Sequence, residues 1–200
     1  MKPYIVSLCD ESGIALRPWL AADYPCIAVD LARENYVDGL MYSRRGDVRN
    51  FVCPPNVHLI MCWPPCTHLA ASGAEHFKRK GLRKLAEAID IVGACKDICE
   101  ASGARYLIEN PIGTLSTYWR KPDYYFDPCD YAGYHPLDPL YDAYNKRTCL
   151  WVGGGFVMPT PKEYPAFFGS YHDASSNPVT RSITFSGFAN AIFQANRGKE

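Results

Sequence analysis

Residues 82–111 read LRKLAEAIDIVGACKDICEASGARYLIENP, and this stretch decides the fold. Its first two thirds place apolar side chains at helical spacing: Leu85, Ala88, Ile89, Val92, Cys95, Ile98 and Cys99. This pattern predicts a long helix from about Leu82 to Ala101, with Gly103 as its C-terminal stop. The run ARYLIEN that follows is apolar and closed by Pro111, which is typical of a buried strand.

The alternation of apolar runs and helical stretches extends over the rest of the chain. Four further strand-like runs are PYIVSLC (3–9), PCIAVD (25–30), VHLIMCW (57–63) and RTCLWV (147–152), the last closed by three glycines. The segment ALRPWLAA (15–22) is interpreted as a helix interrupted near Pro18. Together they predict an α/β fold, a doubly wound and mostly parallel sheet with helices on both faces. No repeat or boundary divides residues 1–200, so we expect a single domain.

Composition narrows the class of protein. The chain has 200 residues, of which 48% are hydrophobic and 21% charged, and its formal net charge is zero. This balance excludes disorder and argues against long-range electrostatic attraction to nucleic acid, although it leaves room for a local basic patch. No apolar run is long enough to span a membrane, and the first residues do not resemble a signal peptide. Nine cysteines suit a reducing compartment, so we expect a cytoplasmic protein whose cysteines mostly pack in the core.

Polar side chains follow the apolar core of several predicted strands. In open α/β sheets, ligands bind beyond the carboxyl ends of the strands, and that rule selects Asp10, Glu11, Asp30, Cys66 and Glu109. A cysteine in a proline-stiffened turn becomes a nucleophile if cations or a helix N-terminus lower the pKa of its thiol, and a half-buried structural cysteine is the alternative. A carboxyl leaving an apolar strand has a raised pKa and suits proton donation, unless it caps a helix.

The order of the motifs is more specific than any one of them. In sequence they are PYIVSLCDESG, IAVD, GDV, WPPCTHLAASG, IENP, NKRTCLWVG and SGFANAI. This series resembles the C5-cytosine DNA methyltransferase family, and it is similar to small methylase-like proteins common in bacteriophage genomes. The resemblance implies a class I S-adenosylmethionine-dependent methyltransferase fold. Fewer than 30 residues separate Trp151 from Thr180, which leaves no room for the family's separate target-recognition domain.

The resemblance also implies roles for individual residues. Cys66 would attack C6 of the pyrimidine, Glu109 would protonate N3, and Arg147 would hold O2. Methyl transfer from S-adenosylmethionine to C5 would follow. Asp30 matches the acid that binds the cofactor's ribose hydroxyls, and Asp47 matches the acid near its adenine. The full set of cofactor-binding residues implied is Asp10, Glu11, Gly13, Asp30, Asp47, Pro65 and Asn190, with Asn190 placed before the last helix.

The sequence departs from the family at two motifs. The first loop, DESG, keeps only Gly13 and adds two acids, and Asn145 stands where the family has the first arginine of its arginine motif. The methyl acceptor stays open among duplex DNA, single-stranded DNA, RNA and a free pyrimidine nucleotide, and so does homo-oligomerisation. A non-catalytic nucleic-acid or nucleotide binder is the alternative function. A metal protein using Cys62, Cys66 and His68 is a further alternative, but the spacing is irregular for zinc, and we predict no metal.

A basic segment, HFKRKGLRK (76–84), follows the predicted nucleophile loop. Its cations are Lys78, Arg79, Lys80, Arg83 and Lys84. Cations near the start of a helix oppose the helix dipole, so a bound phosphate would relieve the conflict. An ordinary solvated basic face is the alternative. The tyrosines at positions 124, 125, 131 and 134 would stack on bases or else belong to the core.

Overall fold

One sheet of eight strands organises the protein. The structure is a computed structural model that describes residues 2–166 and 184–198. Within them the strands are β1 (Tyr4–Leu8), β2 (Cys26–Asp30), β3 (Tyr36–Asp38), β4 (Met41–Arg45), β5 (Val57–Cys62), β6 (Arg105–Pro111), β7 (Tyr124–Phe126) and β8 (Thr148–Gly153). The order across the sheet is β3-β4-β2-β1-β5-β6-β8-β7. The five central strands from β4 to β6 run parallel, and β3, β8 and β7 pair antiparallel. A mostly parallel sheet is therefore confirmed.

The helices agree with the sequence pattern where that pattern is long. The described α-helices are α1 (Arg17–Leu20), α2 (Phe77–Lys80), α3 (Leu82–Ser102), α4 (Leu115–Tyr118) and α5 (Ser186–Asn196). The predicted long helix is α3, and Gly103 ends it in the left-handed conformation at φ 65°, as the glycine stop requires. The helix expected to be interrupted near Pro18 is in two pieces, a 3-10 turn (Ile14–Leu16) followed by α1. Pro18 lies in the first turn of α1, where a residue without an N–H loses no helical hydrogen bond.

Helices cover both faces of the sheet. On one face, α3 packs Ala88, Val92 and Cys99 against the side chains of Val6 and Ile60. On the other face, α1 and α5 bury side chains that include Trp19, Phe188 and Ile192 against Ile5, Leu59 and Met61. Neighbouring residues of one strand thus serve opposite layers, as the pleat dictates. Each buried aliphatic or aromatic side chain contributes about 1.5–3 kcal/mol of hydrophobic free energy, so the doubly wound arrangement is stabilised from both sides.

The edge strands are not among the apolar runs that predicted the sheet. The β3–β4 hairpin is mostly exposed, and Val37 is 68% exposed. The short strand β7 exposes Tyr124 and Tyr125 but buries Phe126. Edge strands face water on several sides, so their sequences carry little of the hydrophobic signal that marks central strands.

The antiparallel edge is held by one carboxylate and ended by glycines. Asp123 accepts hydrogen bonds from Arg120 Nη1 and from the Val152 N–H, both at 2.8 Å. After β8, Gly154 has φ +61°, and a Cβ there would lie 1.9 Å from the carbonyl oxygen of Ala104. Gly155 also has positive φ, +80°, but faces open space. The predicted glycine stop of this strand is confirmed. A Cβ at Gly153 would lie 2.4 Å from the Tyr106 ring, so Gly153 and Gly154 both need the missing side chain for packing, and Gly155 does not.

The strand order places a crevice at one edge of the sheet. Strand β1 is flanked by β2 on one side and β5 on the other, and the chain crosses to these two sides over opposite faces. Ligands of open α/β sheets bind at such a switch point, beyond the carboxyl ends of the strands. Within the described ranges, no helix has the length and apolar character needed to cross a membrane.

Candidate active site

A cavity of about 500 Å³ occupies this switch point. Its lining comes from the residues that follow β1, the end of β2 and the turn after β5: Cys9, Asp10, Glu11, Ser12, Asp30, Trp63, Pro65, Cys66, Thr67 and Thr184. The structure therefore brings together four of the five residues selected by the strand-end rule. The volume falls in the range of small-molecule and cofactor sites.

A smaller cavity of about 80 Å³ continues from the first. Its lining includes Cys66, Glu109 and Lys146, and it shares Trp63, Pro65, Cys66 and Thr184 with the larger one. The fifth residue of the strand-end set, Glu109, thus lies beside the thiol in this inner cavity. Cys66 faces both cavities, which puts its sulfur where two ligand groups can approach it.

The buried side-chain amide of Asn110 holds the turn that carries Cys66. The side chain of Asn110, on β6, is completely buried and donates from Nδ2 to the Pro64 carbonyl oxygen at 2.9 Å. The Cys66 carbonyl oxygen accepts from the N–H groups of Leu69 and Ala70 at 2.9 and 2.8 Å. The proline-stiffened turn is therefore fixed to the neighbouring strand, and the thiol has a defined position.

The expected lowering of the Cys66 pKa is wrong. Burial raises the pKa of this thiol, and the nearby Glu109 raises it further. Lys146 and Lys80 act to lower the pKa, but the result is still a raised value, because loss of hydration destabilises the thiolate more than these two cations stabilise it. No described helix begins at Cys66, so no helix dipole assists.

Glu109 matches the carboxyl group expected to donate a proton. Burial raises its pKa, while Lys146 opposes the shift. Its Oε1 atom is shielded from solvent and has no hydrogen-bond partner among the described residues. The residue pairs with Leu150 in the β6–β8 ladder, and Oε1 accepts from no helix N-terminus among the described residues, so the structure does not support the alternative of a helix cap. An unpaired buried carboxyl oxygen beside a thiol is costly unless a ligand satisfies it.

Lys146, and not the predicted Arg147, lines the inner cavity. Arg147 Nη1 lies 3.1 Å from Asp127 Oδ2, its guanidinium stacks over Tyr125, and its side chain is 54% exposed. Lys146 instead lines the inner cavity, with Nζ 5.0 Å from the Phe185 ring centroid. Adjacent residues of extended chain point to opposite sides, so only one of this pair faces the site. Sequence matching selected the arginine because the motif, not the local geometry, set the choice.

The DESG loop is ordered by a buried arginine rather than by glycines. Arg33 is 9% exposed, and its Nη1 donates to the carbonyl oxygens of Asp10 and Glu11 at 2.9 and 2.8 Å. Its Nε donates to Ser43 Oγ at 2.8 Å. The loop that lines the cavity is thus fixed from β4. No sequence signal marked Arg33, because a buried cation is recognised only from its partners.

Asp10 is committed to this loop and is not free to bind a ligand charge. Its Oδ1 accepts from the Gly13 N–H at 2.7 Å and from Ser12 Oγ, and its Oδ2 accepts from Ser7 Oγ at 2.7 Å. Gly13 itself has φ +68° and lies outside the cavity lining, so its role is conformational. Both acids of this loop line the cavity, and Glu11 is the exposed one.

The other predicted cofactor residues divide into two groups. Asp30 and Pro65 line the large cavity, and Asp30 Oδ1 also accepts from the Ala32 N–H. Asp47 lies outside its lining, caps the turn Val48–Asn50 and pairs with Arg49, whose hydrogen bonds lower the Asp47 pKa. Asn190 lies inside α5, not before it, and its amide donates to Ser186 O at 3.0 Å. The placements of Asp47 and Asn190 do not support direct contact with a ligand in the cavity.

The basic segment contacts, through Lys80, the turn that carries Cys66. Lys80 Nζ donates to the Thr67 carbonyl oxygen at 2.6 Å, and Lys84 pairs with Glu87 at 2.9 Å. Lys78, Arg79 and Arg83 are exposed. Among the five predicted cations, Lys80 thus contacts the segment next to Cys66 and Lys84 is paired with a carboxylate.

The predicted cysteine roles separate clearly. Cys62 is buried in the core and its Sγ lies 3.6 Å from Cys99 Sγ, whereas Cys66 faces the cavities. Among residues 2–166 and 184–198, no three His, Cys, Asp or Glu side chains are grouped to hold a metal ion. Five cysteines are buried, as the sequence predicted for core packing: Cys26, Cys62, Cys95, Cys99 and Cys149.

Comparison of the chain with protein-family models and with curated proteins finds no match. The site must therefore be interpreted from its own geometry.

Proposed function

We propose that this protein methylates C5 of a cytosine in DNA, with S-adenosylmethionine as methyl donor and Cys66 as covalent nucleophile. The observation that carries the proposal is the inner cavity, where the Cys66 thiol and the Glu109 carboxyl line one small space. That space opens into the larger cavity at the switch point of the sheet. A flat heterocycle and a cofactor thereby have adjoining places, in line with the motif order that resembles C5-cytosine methyltransferases.

The larger cavity suits S-adenosylmethionine in its donor set. Asp30 ends β2 and offers a carboxylate to ribose hydroxyls, and Glu11 offers a negative charge to the cationic methionine part. Trp63 and Pro65 supply apolar wall beside Cys66. When bound there, the cofactor supplies an electrophilic methyl group. The fixed DESG loop gives this cavity its shape without the family's glycines.

The residues of the inner cavity divide the chemistry between them. Cys66 loses its thiol proton to solvent and the thiolate adds to C6 of the pyrimidine, while Glu109 donates a proton to N3, so the electron pair of the C5–C6 double bond collects at C5. After C5 has taken the methyl group, water takes the C5 proton and the C6–S bond breaks, which expels the cysteine as thiolate. N3 then returns its proton to Glu109, and the aromatic ring is restored. Splitting one hard substitution into addition and elimination is the gain of covalent catalysis.

The charges of the cavity favour this sequence. A protonated Glu109 removes the negative charge that opposes the thiolate, and its raised pKa favours that protonated form. Lys146 lowers the pKa of Cys66 and takes the role that the resemblance assigned to Arg147, close to the O2 edge of the base. The charge of Glu109 raises the pKa of Cys66, so protonation of Glu109 favours the thiolate.

The test is methyl transfer to DNA from labelled S-adenosylmethionine. Wild type is expected to label cytosine-containing DNA, whereas Cys66→Ser abolishes transfer. Cys129→Ser serves as the matched control, since Cys129 is half-buried and lies outside both cavities. DNA with 5-fluorocytosine is expected to remain covalently attached to Cys66. Failure of all single- and double-stranded substrates to accept label, or equal activity of Cys66→Ser, contradicts the proposal.

One observation favours a second candidate, a non-catalytic nucleic-acid or nucleotide binder. The raised pKa of Cys66 keeps its sulfur protonated in the structure described, and a protonated thiol is a poor nucleophile. Calorimetry separates the two candidates. S-adenosylhomocysteine binding that is lost in Asp30→Ala supports the enzyme, and nucleic-acid binding without affinity for that compound supports the binder.

A further inference from the structure

A second large cavity lies on the other side of the nucleophile turn. It encloses about 380 Å³ between α2, the start of α3 and α4. Its apolar and aromatic wall is supplied by Phe77, Leu82, Leu85 and Tyr118. His68 lines it too, whereas Cys66 and Thr67 line the cavity at the switch point. The segment 66–68 therefore separates two cavities, with the thiol on one side and the imidazole on the other.

Two large apolar side chains in the wall of this cavity are exposed to solvent. Leu82 is 82% exposed and Tyr118 is 56% exposed, yet both are large apolar side chains at one opening. Such side chains gathered around a concave surface are typical of a binding site. A ligand with flat apolar faces would cover them.

The polar groups of the cavity restrict that ligand further. His68 lines the cavity. Its Nδ1 is shielded from solvent and has no hydrogen-bond partner among the described residues, so a turn of the imidazole toward the cavity would let the polar edge of a ligand satisfy it. Lys78 and Lys80 belong to the lining, and the exposed Arg79 and Arg83 adjoin them. The ligand is thus expected to combine a flat ring, a hydrogen-bonding edge and an adjoining anion.

We propose that this cavity binds the nucleobase next to the reacting pyrimidine on the same strand. Tyr118 and Phe77 provide aromatic surface for stacking, His68 meets the edge of the base, and Lys78 and Lys80 meet the phosphate that joins the two nucleotides. Lys80 already spans the two sites, because its ammonium bonds the Thr67 carbonyl oxygen at 2.6 Å. This inference rests on the proposed function for the identity of the first base.

The test compares an oligonucleotide with a mononucleotide. A short single-stranded DNA with a central cytosine and cytidine monophosphate are titrated, without cofactor, into wild type, Tyr118→Ala and Tyr124→Ala. Tyr124, for which the sequence left stacking on bases open, is the control, since it is 40% exposed on β7 and lines none of the three cavities. Loss of one stacking partner is expected to weaken oligonucleotide binding by about tenfold in Tyr118→Ala. Mononucleotide binding is expected to stay unchanged, and Tyr124→Ala is expected to match wild type.

A second variant guards against a change in folding. Leu82→Asp alters a side chain that is almost fully in water and places a negative charge at the cavity, so it is expected to weaken the oligonucleotide without altering thermal unfolding. No oligonucleotide binding, equal loss in Tyr118→Ala and Tyr124→Ala, or equal loss for both ligands overturns the inference.

The two proposals fail in different ways. If the oligonucleotide binds through Tyr118 but accepts no methyl group, the enzyme is refuted and the base-binding cavity stands. If transfer depends on Cys66 while Tyr118→Ala and Leu82→Asp bind the oligonucleotide like wild type, the cavity is refuted and the enzyme stands.

Discussion

Replacement of Arg33 by methionine tests how the loop after β1 is held. Methionine keeps an apolar stem of similar length but donates no hydrogen bond. The change leaves the carbonyl oxygens of Asp10 and Glu11 and the hydroxyl of Ser43 without their donor at 2.8–2.9 Å. A hydrogen bond to a charged group contributes about 1.5–3 kcal/mol, and part of each loss is recovered where water enters. We therefore expect the free energy of unfolding to fall by about 3–6 kcal/mol.

Urea denaturation measures this loss. With a slope of about 2 kcal/mol per molar urea, the midpoint is expected to fall by about 1.5–3 M. Arg33→Lys keeps one charged donor but not the fork, so its midpoint is expected between those of wild type and Arg33→Met. Arg45→Ala, on the exposed face of β4, is the matched control and is expected to stay within about 0.3 M of wild type.

The reasoning also predicts a functional consequence. Because the loop lines the cavity, Arg33→Lys is expected to weaken S-adenosylhomocysteine binding even at temperatures where the variant is folded. A midpoint for Arg33→Met equal to that of Arg45→Ala would refute the stabilising role of Arg33. A stable Arg33→Lys variant with unchanged affinity would refute its link to the cavity.

Three further predictions follow from single contacts. Glu109→Gln removes a negative charge that raises the pKa of Cys66, so iodoacetamide is expected to alkylate Cys66 several-fold faster at about pH 8. Mass spectrometry of the peptide that contains Cys66 measures the rate, and an unchanged rate would contradict the effect of Glu109 on the thiol. Gly154→Ala is expected to unfold at least about 2 kcal/mol more easily than Gly155→Ala, since both have positive φ but only the first meets backbone; equal melting temperatures would disprove this. Burial acts to raise the pKa of Asp123, but its two hydrogen bonds outweigh burial and lower it. Its stabilisation is present above about pH 4 and is lost as pH falls through the lower folded-state pKa, so Asp123→Asn is expected to reduce the melting temperature at neutral pH but not in strong acid.

The central part of the fold could be predicted because its signal is hydrophobic and long. Helices cover both faces of the sheet, so its inner strands are apolar at nearly every position: β1, β2, β5, β6 and β8. The apolar stripe on α3 is equally clear because the helix packs on the sheet. The direction of β8 was not predictable, because a buried strand reads alike in both senses. The hairpin β3–β4 was missed since exposed edges leave little apolar pattern.

The residues of the candidate site were likewise predictable only in part. Four site residues could be located because they lie at the carboxyl end of a parallel strand or a few residues beyond it, and these ends meet in space: Glu11, Asp30, Cys66 and Glu109. The choice between Lys146 and Arg147 depends on which way one extended residue faces, and a motif match does not contain that information.

The place of Asp10 was visible from sequence, but its task was not. A carboxylate at a strand end reads as a ligand until its partners are known, and here three donors from its own loop and strand saturate it. Arg33 had no signal of its own, although it fixes the same loop.

The insertion of β8 between β6 and β7 has a consequence for synthesis on the ribosome. Strand β7 emerges first, yet it has no neighbour in the sheet until β8 has emerged and paired with β6. The Tyr124–Phe126 segment therefore stays unpaired in the nascent chain, although all five parallel strands have already been synthesised. Closure of that sheet margin is a late, non-local step, and a stalled chain ending near residue 145 would leave the flank of β6 open to a neighbouring polypeptide.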